Sequence, residues 1–136
     1  MLEGVNPILT GELLLRLDRL GHSDSVVISD AHFPAYRFGV PVLELPALRS
    51  PEVLRAIRSV TPLDDAPALV LMATPDSRPL PVHQELAEAA RAESADLRMA
   101  ERNRFYELAS EAQFIVRTGE VLVYANARLQ KGVVGH

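Results

Sequence analysis

The feature that most constrains the fold is an unbroken apolar run, Ala68-Leu69-Val70-Leu71-Met72-Ala73. Six apolar residues are far too few to span a bilayer. As a strand, such a run has no polar face, so it belongs in the middle of a sheet covered on both sides. Val26-Val27-Ile28, within a segment from Ser25 to Asp30, has the same character. Val42 to Leu45 is a second short strand, and Asp96 to Met99 a weaker one.

Helical periodicity separates these strands. Leu13, Leu14, Leu17 and Leu20 share one face, with Glu12, Arg16, Asp18 and Arg19 opposite. Thr10 is placed to cap the start of that helix and Gly21 its end. Ser50-Pro51-Glu52 supplies an N-cap, a first-turn proline and an acid at the positive dipole end, opening a helix to about Val60. After a Pro75 to Pro81 loop, further helices are expected from Val82 to Arg91 and from about Asn103 to Glu111. Gln113 to Arg117 and Val121 to Tyr124 read as a hairpin around Thr118-Gly119. The alternation predicts one α/β layered domain over residues 1–136, with a largely parallel central sheet flanked by helices.

Composition narrows the function. The net charge of −4 argues against a nucleic-acid surface, which normally carries a basic stripe. Without cysteine there is no disulfide framework and no thiolate nucleophile. Met1-Leu2-Glu3-Gly4 has neither a basic n-region nor an apolar h-region, so a cytoplasmic protein without membrane partners is expected. No glycine-rich nucleotide fingerprint, Walker loop or Gly-x-Ser-x-Gly elbow is present.

The chemically pointed residues lie in separate segments. Gly21-His22-Ser23-Asp24 follows the first helix, and Asp30-Ala31-His32-Phe33-Pro34-Ala35 follows the first strand. Tyr124-Ala125-Asn126 ends the last expected strand, before Leu129-Gln130-Lys131-Gly132-Val133. His22 is either a charge complementing a helix C-terminus or a general acid/base. Asp24 either shapes its turn or orients His22. Asp30 is either a turn former or an acceptor for sugar hydroxyls. On a strand, Tyr124 and Asn126 would face the same side and offer a hydroxyl and an amide. His83 is expected on an exposed helix face and His136 is terminal, so neither asks for a function.

These motifs resemble the RbsD/FucU family of sugar mutarotases, from the Pro7-Ile8-Leu9-Thr10 opening to the Lys131-Gly132-Val133 close. Asp30-Ala31-His32-Phe33-Pro34-Ala35 and Phe105-Tyr106-Glu107 look more like its L-fucose branch. The resemblance implies an RbsD-like fold and a cofactor-free, metal-free isomerase that interconverts sugar anomers. It assigns His22 as proton donor, with Asp24 in support, and Asp30, Arg102, Tyr124 and Asn126 as substrate-binding residues. Arg104 is the alternative to Arg102, because Asn103 and Arg104 stand where relatives often carry Phe and Ala. Two further departures are Ser23, in place of the usual Gly of Gly-His-Gly-Asp, and Ala125, where relatives commonly read Tyr-Gly-Asn. Family members assemble as homo-oligomeric rings, commonly decamers, with sites completed by neighbouring subunits. The alternatives are a D-ribose pyranase activity, a non-catalytic sugar-binding ring protein, or a metal-dependent isomerase or hydrolase using His22, Asp30 and His32.

Overall fold

The computed structural model describes residues 1–65 and 67–135, so His136 lies outside the described residues. The chain runs α1 (Gly11–Asp18), β1 (Ser25–Ser29), β2 (Val42–Leu45), α2 (Ser50–Arg58), β3 (Leu69–Met72), α3 (Pro81–Ala89), β4 (Leu97–Ala100), α4 (Arg102–Glu111), β5 (Phe114–Thr118) and β6 (Ala127–Gln130). The six strands form one sheet in the order β2-β5-β1-β6-β3-β4. β2, β5 and β1 pair in parallel, as do β3 and β4. β6 alone runs the other way, antiparallel to both β1 and β3.

Both faces of the sheet are covered, which explains the unbroken apolar runs. Val26, Ile28, Leu69, Leu71, Phe114, Val116 and Leu129 point to one face, against Leu13 and Leu17 of α1, Leu54 and Ile57 of α2, and Leu86 of α3. Val27, Val70, Met72 and Ile115 point to the other face, against Phe105 and Ala109 of α4 and against Phe33. The period-two alternation of side chains thus divides each run between two cores. Among the described residues no helix is long and apolar enough to cross a membrane.

Four local expectations differ from the structure. The first concerns the end of α1, which stops at Asp18 with Arg19 as C-cap. Gly21 gives its N–H to Asp24 Oδ2 at 2.8 Å, and Ser23 takes the left-handed turn position at φ 70°. The ammonium of Lys131 meets the carbonyls exposed beyond α1, at 2.7 Å from Leu20 O. The second concerns α2, whose N-cap is Arg49 rather than Ser50. Glu52 still accepts from the Arg49 N–H at 3.1 Å, so the acid serves as expected one residue earlier.

Third, β5 makes no hairpin with residues 121–124, because β1 lies between β5 and β6. Residues 119–126 instead form a long connection. Gly119 sits so close to the chain that a Cβ there would fall 1.9 Å from Pro46 O. Glu120 buries its carboxylate 3.0 Å from Arg49 Nη2, while Val121, Leu122 and Val123 stand exposed. An apolar triplet left in water is not a core strand, and its hydrophobicity misleads the sequence pattern. Fourth, His83 is buried rather than exposed. Its Nδ1 accepts from Leu80 N–H at 2.9 Å, and its Nε2 lies 2.9 Å from Met72 O. One neutral imidazole thereby ties the N-terminus of α3 to the end of β3.

Replacing that imidazole orphans a backbone donor and an acceptor. His83→Ala should destabilise the fold by about 2 kcal/mol, read as a lower midpoint in urea denaturation.

Candidate functional site

The site grows from the sheet's topology. After β1 the chain turns to one side, toward β2; after β3 it turns to the other, toward β4. The carboxyl ends of strands at such a divergence leave a crevice where ligands bind. Here β6 enters that gap from the same end, so Asn126 arrives beside Asp30 and Met72. The resulting open cleft, of about 430 Å³, is lined by Asp30, His32, Arg102, Tyr106, Tyr124 and Asn126 among others. A larger hollow near the N-terminus, about 520 Å³, is lined by no ionisable side chain and offers no acid/base chemistry.

Asp30 anchors the cleft. Its residue is 2% exposed. Oδ1 accepts from the N–H groups of His32 and Phe33, both at 2.9 Å. Its own N–H donates to Asn126 Oδ1 at 2.7 Å. One Asp30 oxygen therefore shapes the turn, as weighed from the sequence, while the carboxyl lines the cleft. Burial pushes its pKa above the ordinary carboxylate value, against the two backbone N–H bonds that favour the anion.

The rest of the wall follows from this turn. Phe33 stacks on Phe38 with centroids 5.6 Å apart and meets Phe105 and Tyr106 edge-on, docking the loop onto α4. Glu101 caps α4 by accepting from Arg104 N–H at 2.8 Å, which sets Arg102 at the first turn, on the cleft. Arg104 turns away to pair with Glu107 Oε2 at 2.9 Å. Of the two arginines, Arg102 lines the cleft. Tyr124 and Asn126 do reach one cleft, but not as strand neighbours. Tyr124 sits at φ 63°, a left-handed conformation costly for a non-glycine residue. The methyl of Ala125 is fully buried in the core, so this position asks for no glycine.

His22 and Asp24 lie elsewhere. They precede β1, whereas Asp30 follows it, so five residues of strand, about 16 Å, separate the two ends. His22 lines a smaller hollow of about 280 Å³ with Asp64, Asp65 and Gly132. Its Nε2 lies 3.0 Å from Asp64 Oδ1, not against Asp24, whose carboxylate is taken by the Gly21 N–H. The three sequence segments therefore form two constellations at opposite ends of β1. Within one chain, His22, Asp30 and His32 cannot converge on a metal ion. Among the described residues no group of three or more His, Cys, Asp or Glu side chains could hold one.

Sequence reasoning missed Asp64 and Tyr106, and weighed His32 only as a metal ligand. Tyr106 had a signal, since it lies four residues from Arg102 on one helix face. His32 sits inside a motif already singled out, and its Nε2 lies 3.1 Å from Val121 O at the cleft rim. Asp64 had none, being a loop residue 42 positions from its partner.

Asp30→Asn keeps an acceptor for both turn N–H groups and removes the ionisable proton. A carboxyl whose folded pKa is raised above its unfolded value of about 3.9 binds protons more tightly when folded. Wild-type stability therefore falls as pH rises through that window. Relative to wild type, Asp30→Asn should gain stability toward pH 7 and lose the gain below roughly pH 4. Urea denaturation at both pH values checks this.

The RbsD / FucU transport protein family matches this chain over residues 3–134. Among solved structures, the protein Atu2016 superposes with a TM-score of 0.89 at 32% identity, over 98% of this chain and 97% of that one. The fucose mutarotase of Streptococcus pneumoniae, solved with L-fucose, gives 0.87 at 28% identity, over 98% and 99%. FucU of Bifidobacterium longum gives 0.85 at 34% identity, over 97% and 99%. With the family matching nearly end to end and the sheet superposing on its solved members, the chain belongs to the RbsD/FucU family.

Proposed function

We propose that this protein is a monosaccharide mutarotase that interconverts the α and β anomers of L-fucose or a closely related sugar. The observation that carries the reading is the buried Asp30 carboxyl in an open cleft it shares with Arg102, Tyr124 and Asn126. A carboxyl, a guanidinium, a phenol and an amide together can donate to and accept from a ring of hydroxyls. The S. pneumoniae relative, solved with L-fucose, supports that sugar.

The chemistry needs one acid and one base. A base takes the proton from the anomeric hydroxyl while an acid protonates the ring oxygen, and the C1–O5 bond opens. The aldehyde rotates, and the hydroxyl closes on its other face as the two protons return. Burial raises the Asp30 pKa above the ordinary carboxylate value, which makes its carboxylate a stronger base than an exposed one. The second group in this reading is His22. It stands at the far end of β1, so it reaches a sugar in the Asp30 cleft only from another copy of the chain. A homo-oligomeric ring provides that copy. The exposed Val121-Leu122-Val123 triplet beside the cleft and the exposed Val133-Val134 tail support burial between subunits.

The test is anomer exchange of L-fucose, with D-ribose in parallel, by saturation-transfer NMR. Wild type should accelerate L-fucose exchange. His22→Ala and Asp30→Asn should each lose about 10²-fold or more. Because the two residues act from different copies, co-assembling the two inactive variants should restore part of the activity. Sugar binding without acceleration by wild type would overturn the proposal in favour of a non-catalytic binding protein.

A further inference from the structure

A second hollow opens beside the sugar cleft. It encloses about 280 Å³ between the turn after β3 and the first turn of α4. Thr74 and Ser77 line it on one side, Glu101 and Asn103 on the other. Arg102 and Tyr124 line this hollow and the cleft alike. Met72 and Ala73 are consecutive, yet the first lines the cleft and the second the hollow. A sugar in the cleft therefore has, directly beyond Arg102 and Tyr124, an extension of about two-thirds the cleft's own volume.

Hydrogen bonds fix the shape of this hollow. Ala73 N–H donates to Ala100 O at 2.7 Å, which ties the end of β3 to the end of β4. The Thr74 hydroxyl donates to Asp76 Oδ1 at 2.7 Å, and the same oxygen accepts from the Arg78 N–H at 3.2 Å, closing the turn. Ser77 N–H donates to Thr74 O at 3.0 Å and holds Ser77 at φ 59°. Across the hollow, Glu101 Oε1 accepts from the Arg104 N–H at 2.8 Å and Oε2 from the Asn103 N–H at 3.1 Å. The acid and the start of α4 thus engage each other. No described residue hydrogen-bonds the side chains of Ser77, Arg102, Asn103 or Tyr124. Two hydroxyls, a guanidinium and an amide are left with free donors and acceptors.

Charge selects what they can bind. A phosphate or carboxylate would meet Glu101 at the helix N-terminus, where an anion needs free N–H groups. A cation would meet Arg102. A neutral, hydroxyl-rich group meets neither repulsion. We propose that the hollow is a second sugar subsite, which takes a neutral glycosyl substituent on the sugar held in the cleft, with Ser77 and Asn103 as the residues that select it. Ring opening needs a free anomeric hydroxyl, so the substituent joins the reducing sugar through another oxygen. The substrate class then includes reducing disaccharides beside the free monosaccharide. This deepens the mutarotase reading and rests on it.

The probes are L-fucose and three disaccharides with L-fucose at the reducing end, linked through O2, O3 or O4. Affinity for the full chain is read by titration calorimetry, and anomer exchange by saturation-transfer NMR. The isomer whose linkage leads past Arg102 and Tyr124 should bind about 10-fold tighter than L-fucose, and its exchange should be accelerated. Asn103→Phe places an apolar ring in the hollow. It should cancel the gain while leaving L-fucose binding and exchange unchanged. Ser77→Gly removes one hydroxyl and relieves the positive φ. It should cut the gain by a few-fold, and it keeps the test valid if Asn103→Phe folds poorly. Accelerated L-fucose exchange with no isomer binding more tightly than L-fucose overturns the subsite alone. So does a gain that survives both substitutions. If none of the four sugars binds or exchanges faster, L-fucose included, the mutarotase reading falls and the subsite with it.

Discussion

The insertion of the last strand between β1 and β3 is the constraint on which the rest depends. β6 is the one strand that runs against the others, and it fills the gap where the chain diverges after β1 and after β3. An antiparallel strand in that gap presents its beginning where its neighbours end. Asn126, just before β6, therefore meets Asp30, just after β1, through a buried 2.7 Å bond. At the other end, Gln130 and Lys131 meet the turn before β1 and the segment before β3. A single strand thus builds half of each constellation.

Both halves are held by residues in conformations they resist. Ser23 and Tyr124 are two of the four non-glycine residues with positive φ among those described, and each belongs to one end of β1. Such strain persists only where surrounding contacts over-determine it. Around Ser23 those contacts are the Lys131 carbonyl and the Asp64 carboxylate. Around Tyr124 they are the buried methyl of Ala125 and the anchored amide of Asn126. Strain adjoining polar side chains that face open cavities is the pattern of a preorganised site rather than of a packed core.

Much of the architecture was legible from periodicity. The apolar runs at Val26–Ile28 and Leu69–Met72 announced strands covered on both faces, and the leucine stripe of α1 announced its buried side. Asp30 and Asn126 were legible as polar residues at element ends. The hairpin expectation failed because Val121-Leu122-Val123 has strand composition without burial, and local pattern cannot tell a core apolar triplet from an exposed one. His83 was misjudged for the complementary reason. Its burial comes from two backbone groups, at Leu80 and Met72, whose approach depends on how α3 closes over β3.

By itself the sequence determined which segments are strands and helices, that both faces of the sheet are covered, and which polar residues stand at element ends. These follow from local spacing, because side-chain direction repeats with the period of the backbone. Only the tertiary structure decided that β6 lies between β1 and β3, that Arg102 rather than Arg104 lines the cleft, and that His22 and Asp30 stand at opposite ends of one strand. The same holds for the pairing of His22 with Asp64 instead of Asp24. Each of these is a contact between residues distant in the chain or a choice between neighbours of equal chemistry. Such choices are settled by which surfaces pack together, a property no local pattern carries.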